Sequence, residues 1–289
     1  MSTASIAEVG APPAAPSLSS RLIRVPGIWI GGFLIFLFVF SAIFADVISP
    51  YGPDVRDGQN QPPSSEHWLG TDSNEKDVLT RVLHGSRLSL IASITSISCA
   101  VVVGVGLGML AGYYGGRVDM FVMRLIDIWL SFPSLLIAFL VIAALHPGWP
   151  AVIIAVALIN VPVFARQIRA EMLSLKHTAY AEAAIAAGAT PLYMVIFVFL
   201  PAVTGTIWVL ATLGLGHAIL EVAGLSFLGI AGDPSHAEWG AMLVEAKEYL
   251  HVTIWPAIAP GIAISMTILG FNLFGDGLRE ALSRRSRGN

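Results

Sequence analysis

Long stretches without a single charge constrain this chain more than any other feature. Between Val25 and Ala45, and again between Leu88 and Gly116, no Asp, Glu, Lys or Arg occurs. A bilayer core of about 30 Å takes roughly 20 helical residues, and each of these runs is long enough to cross it. Ile128–Ala165 is too long for one crossing, and "HPGWP" at 146–150 divides it into two. Ala183–Leu220 contains a fifth span, beginning near Leu192, and Tyr249–Gly275 a sixth. Only 12% of the residues are charged, about half the usual share in a soluble domain. The expected fold is an all-α membrane protein of six transmembrane helices.

The first run is longer than the apolar region of a signal peptide. Ile43 in "SAIFADV" also occupies a position that a cleavage site reserves for a small residue. It reads as a retained helix over 25–48, preceded by a disordered tail over 1–24 and followed by an extracytoplasmic segment over 49–87. A five-helix core is expected over 88–276, with a loop over 166–191, and a basic tail over 277–289. Six spans put both termini on one side. On that side lie Arg21, Arg24, Arg117, Arg124, Arg166, Arg169, Lys176, Arg279, Arg284, Arg285 and Arg287. Opposite them lie Arg56, Lys76, Arg81, Arg87 and Lys247. Positive charge gathers on the cytoplasmic side, so both termini are expected to be cytoplasmic.

Within the second span Gly104, Gly108 and Gly112 recur every fourth residue, a small-residue face on which another helix can pack closely. Pro133, Pro162 and Pro201 each remove a backbone donor and bend or end a helix. Asp127 lies three residues after Arg124, the spacing of a local helical ion pair. Cys99 has no partner cysteine and reads as a buried structural thiol. The chain contains no phosphate-gripping P-loop, no H-E-x-x-H, no G-x-S-x-G and no CxxC. It is therefore expected to be no enzyme, to bind no cofactor or metal, and to leave nucleic acid alone at a net charge of −3.

Between the fourth and fifth spans, "HTAYAEAAIAAGATPLYMVIFVFLPAV" starts as a polar, alanine-rich helix and ends inside the membrane. Tyr180, Ala184, Ala187 and Gly188 fall on one helical face. Gly188 ends the helix and Pro191 forbids its simple continuation. The order Glu182, Ala183, Ala184, then Gly188, then Leu200-Pro201, resembles the EAA loop of ABC-importer membrane subunits. Alongside it stand "HWLGTD" (67–72), "DVLTRVLHGSRLSL" (77–90), "GYYGGRVD" (112–119), "LSFLG" (225–229), "EWGAMLVEAKEYL" (238–250) and "PGIAISMTILGFNLFGDGLREAL" (260–282). Together they resemble the C-type permease subunit of dipeptide, oligopeptide and nickel importers across roughly residues 25–285.

That resemblance implies a multi-pass subunit of the bacterial cell membrane, embedded in lipid, forming half of a translocation pore with a B-type permease. It also implies two cytoplasmic ATPase subunits docked on the EAA loops, and an extracytoplasmic binding protein that delivers cargo. Tyr180, Glu182, Ala183, Ala184, Gly188, Leu200 and Pro201 are the expected coupling residues. Di- and oligopeptides are the expected cargo, with nickel, a siderophore or haem as the alternative. A proton-coupled secondary transporter is the rival from another class, and Glu221 is its lone candidate acid. Two places depart from the family pattern. Phe197, Val198 and Phe199 stand where an Arg-His pair is usual, and Glu75-Lys76 precede Asp77-Val78.

Overall fold

Helix α1, Pro26–Ile48, opens on a proline whose missing donor costs nothing in a first turn. The computed structural model describes residues 22–230 and 237–283, in which the one isolated β-bridge joins Thr71 and Asp77. The expected tail up to Arg21, and Arg284, Arg285 and Arg287 of the charge count, lie outside the described residues. After α1 come α2, Val78–Tyr114; α3, Gly116–Leu130; α4, Ser134–Leu145; α5, Trp149–Leu175; and the short α6, Ala179–Ala186. A single turn at Pro191–Tyr193 and a π-helix at Met194–Phe199 lead into α7, Leu200–Phe227, followed by α8, Trp239–Glu248, and α9, Trp255–Ser283. Helices α1, α2, α5, α9 and the 191–227 stretch are each long and apolar enough to cross a membrane, and the bent pair α3 and α4 brings the number to six if it is taken as one span.

Helix α2 is capped by Asp77, whose carboxylate accepts from the Thr80 backbone N–H at 2.7 Å. Its 37 residues span about 55 Å at 1.5 Å per residue, well beyond a bilayer core. Its first turns therefore rise out of the apolar layer, and residues 78–87 are helix rather than part of the preceding loop. There Arg87 forks onto Asp46 of α1 at 2.8 and 3.0 Å. The third crossing also differs from a straight span starting at Ile128. The helix begins at Gly116 and turns by 91° at Ser131–Pro133. Pro133 supplies no N–H to continue the ladder, and the residue before a proline avoids the helical region. Pro162, by contrast, sits inside a continuous α5.

Two glycine-lined contacts hold the bundle. A Cβ on Gly104, Gly108 or Gly112 of α2 would lie 2.6 Å from Phe164 Cβ, 2.7 Å from the Ala165 carbonyl or 2.4 Å from Met172 Cβ, all on α5. Similarly, a Cβ on Gly31 of α1 would lie 2.5 Å from the Phe274 backbone nitrogen of α9. Between lipid-soluble helices close packing replaces the hydrophobic drive, and glycine permits it. Cys99 is exposed on the outer surface of α2 rather than buried. The thiol lies outside the Gly104–Gly108–Gly112 seam, which takes up the inward side of the helix.

Candidate functional site

The 176–190 loop is shorter than the expected 166–191, because α5 continues to Leu175 and carries Arg166 and Arg169 on its last turns. Arg169 forks onto Asp119 of α3, with Nη2 to Oδ2 at 2.6 Å. Arg166 Nη2 donates to Asp127 at 2.6 Å, so Asp127 pairs across helices and not with Arg124. The reach of α5 decides this, since it brings a guanidinium alongside a carboxylate that Arg124 leaves exposed. Lys176 Nζ donates to the Tyr113 carbonyl at 2.6 Å. Three cations thus brace the end of α5 against the α2–α3 corner.

Helix α6 follows at once. Thr178, in extended conformation, ends the preceding turn, and its carbonyl accepts from Ala181 and Glu182. Glu182 lies in the first turn, exposed, where the helix dipole favours a carboxylate. The C-terminus closes with paired reversed bonds: Gly188 N–H to the Ile185 carbonyl at 2.9 Å, and Ala189 N–H to the Ala184 carbonyl at 3.1 Å. That closure needs a left-handed residue, and Gly188 has φ +83°.

Ala181 is wholly buried, and Ala184 packs on a cluster of Val105, Met109, Ile168, Met172, Phe199 and Val203. Small side chains on this side place α6 against the π-helix at Met194–Phe199, in an apolar cluster to which α2, α5 and α7 also contribute. Tyr180, Ala183 and Ala187 face outward with Glu182, so the expected Tyr180–Ala184–Ala187–Gly188 face is split between the seat and the surface. Ile185, Tyr193 and Phe197 add exposed apolar surface beside them, and Tyr193 and Phe197 rings lie 5.1 Å apart.

The π-helix before Leu200-Pro201 was not legible as a spacing. Pro201 would push its ring against the carbonyl four residues back, and a widened turn ahead of it relieves that crowding. The turn also separates two neighbouring aromatics. Phe199 is 1% exposed and meets Tyr113 edge-on at 6.1 Å, whereas Phe197 is 65% exposed. Leu200 lies half-exposed at the junction. The Asp119–Arg169 pair, 50 residues apart in sequence, leaves no local signal at all.

At the opposite end of the bundle, the loop before α2 folds around buried His67. Its Nδ1 lies 2.9 Å from Asp77 and its Nε2 3.3 Å from Asp57. Burial disfavours the charged ring, but the two carboxylates outweigh it and hold the pKa above the ordinary value. A raised histidine pKa stabilises the folded loop fully below about pH 6.5 and loses that contribution as pH rises through the folded value. An NMR titration of the His67 ring is expected to show a midpoint above that of a free histidine, lowered by Asp57→Asn; an unshifted midpoint would contradict the pairing. Beside it Arg81 is held between Asp72 and Glu245, joining this loop to α8.

Residues 104–288 match the model of the binding-protein-dependent transport system inner membrane component, and residues 19–63 match the N-terminal transmembrane domain of oligopeptide transport permease C. Among curated relatives, the dipeptide transport system permease protein of Alkalihalophilus pseudofirmus is 39% identical over 89% of this chain and 86% of its own length. The glutathione transport system permease protein of Pectobacterium atrosepticum is 40% identical over 87% and 84%. The di/tripeptide permease protein of Pseudomonas aeruginosa is 39% identical over 88% and 86%.

Proposed function

Because the chain belongs to the family of inner membrane components of binding-protein-dependent transport systems, a C-type permease of the peptide-importing ABC class, we propose that it carries di- and oligopeptides and takes up ATPase motion through the 176–190 loop. The observation that carries the cargo is the agreement of three relatives, two named for di- or tripeptides and one for the tripeptide glutathione, at about equal identity over nearly their whole lengths. The seating of α6 supports the coupling role. A short helix whose inner side is buried in a cluster shared by three spans is carried by their movement, and its outer side offers a carboxylate amid apolar surface.

In this reading the chain pairs with a B-type permease, two ATPase subunits dock on the loops of the pair, and a binding protein presents cargo at the His67 end. Tyr180, Glu182, Ala183 and Ala187 face the ATPase, and Gly188, Leu200 and Pro201 shape the return into the membrane. The usual Arg-His contact is replaced by Phe197, whose exposed ring makes docking on this side apolar. ATP hydrolysis belongs to the partners.

The orientation is tested by thiol labelling on a Cys99→Ser background. Asn60→Cys is expected to react with an impermeant reagent from outside, and Thr178→Cys only after the membrane is opened. The reverse pattern would remove Glu182 from the reach of any cytoplasmic ATPase and sink the coupling role.

A further inference from the structure

Helix α7 has an outward stripe that does not suit lipid. His217, Glu221 and Gly224 recur at helical spacing along it. His217 and Gly224 are exposed, and Glu221 is partly so. A Cβ on Gly224 would meet nothing within 4 Å, so the surface beside Glu221 is open. An ionisable group inside a span is costly against hydrocarbon and is found facing a bundle interior or a water-filled cavity. The outer surface of α1 shows what a lipid-facing wall looks like in this chain, with Trp29, Phe33, Phe36 and Ile43 all exposed.

Glu221 is also aimed. Asn160 of α5, itself buried, donates through Nδ2 to Glu221 Oε2 at 2.8 Å and to the Val156 carbonyl at 2.9 Å. One carboxylate oxygen is thereby fixed, on a residue that is only partly buried. Six residues separate Glu221 from the end of α7 at Phe227, about 9 Å at helical rise. The carboxylate therefore stands at the end of the bundle away from the 176–190 loop.

We propose that the His217–Glu221–Gly224 side of α7 is this subunit's wall of the translocation path, and that Glu221, oriented by Asn160, is the station that receives the ammonium group of a peptide entering it. The proposal rests on the peptide-import reading for the identity of the cargo, but not for the existence of the path. A carboxylate accepts an N–H⁺ donor in a charge-assisted bond, and such bonds are the stronger kind. A held amino terminus orders the peptide for passage without reading its side chains.

The test uses the assembled transporter in its membrane, with Cys99→Ser as background. His217→Cys is expected to react with both cationic and anionic methanethiosulfonates, preferring the cation roughly tenfold because the Glu221 charge concentrates it. Adding Glu221→Gln keeps the Asn160 hydrogen bond and is expected to bring that preference close to one. Uptake of a dipeptide with a free amino terminus is expected to fall about tenfold in Glu221→Gln, and to be largely retained in Glu221→Asp. If the Gln variant is scarce in the membrane, the charge preference of His217→Cys with Glu221 intact decides alone. A His217→Cys inert to both reagents, as the outward α1 control Phe36→Cys is expected to be, would overturn the path. Labelling without charge preference, or full uptake by a well-inserted Gln variant, would overturn the station. Failure of the unmodified transporter to import any dipeptide, with the labelling pattern intact, would remove the peptide reading and leave the path.

Discussion

Gly108→Val is expected to strip the folded chain from the membrane, whereas Gly106→Val two residues away leaves its level normal. The first Cβ atom at position 108 already lies 2.7 Å from the Ala165 carbonyl oxygen and 2.9 Å from Ile168 Cβ. Backbone cannot swing aside as a long side chain does, so α2 and α5 must separate. Overpacking of a well-filled core costs about 1–3 kcal/mol and sometimes more, and a branched side chain at a backbone contact belongs at the upper end. Against a net stability of about 5–15 kcal/mol, that is enough to deplete the folded population. At Gly106 an added Cβ meets nothing within 4 Å. Quantifying both variants in isolated membranes checks the contrast, and equal levels would show that the glycine seam is not what holds α2 to α5.

Gly188→Val is expected to give the opposite combination: a chain present at normal level with uptake reduced more than tenfold. No atom crowds the position, since a Cβ there meets nothing within 4 Å. The obstacle is the backbone, at φ +83°, where a β-branched residue is a genuine outlier and the left-handed region costs roughly 1–2 kcal/mol. Relaxing that strain opens the paired bonds from Gly188 and Ala189 that close α6, and Glu182 shifts with the helix. Asparagine tolerates this conformation better, so Gly188→Asn is expected to retain much of the uptake. Loss in both variants would point to added bulk against a docked partner, and full uptake by Gly188→Val would show that α6 does not couple.

These two glycines also mark how far the sequence could be read. A small residue every fourth position announces a close helix contact, yet the partner, α5, is set by tertiary packing. Gly188 after an alanine-rich run announces a helix end, and its left-handed φ follows from the closing pattern alone. What stayed hidden is what depends on distant residues. The 91° bend at Pro133 was legible as an interruption but not as an angle. The extension of α5 through Arg166 and Arg169 was masked by the very charges that suggested a loop, because their carboxylate partners lie on α3. Glu221 looked like the closing residue of a span. Only the Asn160 contact brings it to a defined place within the bundle.

The central claim is that this subunit conducts peptide when ATPases act on its 176–190 side. The direct measurement is uptake of a labelled dipeptide by proteoliposomes containing the purified complex, with binding protein supplied at the His67 face. Uptake is expected to require ATP on the Glu182 face and to stop when the ATPase subunits are omitted, and this chain alone is expected to hydrolyse none. Uptake by this chain alone, driven by a proton gradient without ATP, would contradict the account, as would ATP-driven accumulation of nickel or haem with no dipeptide transported.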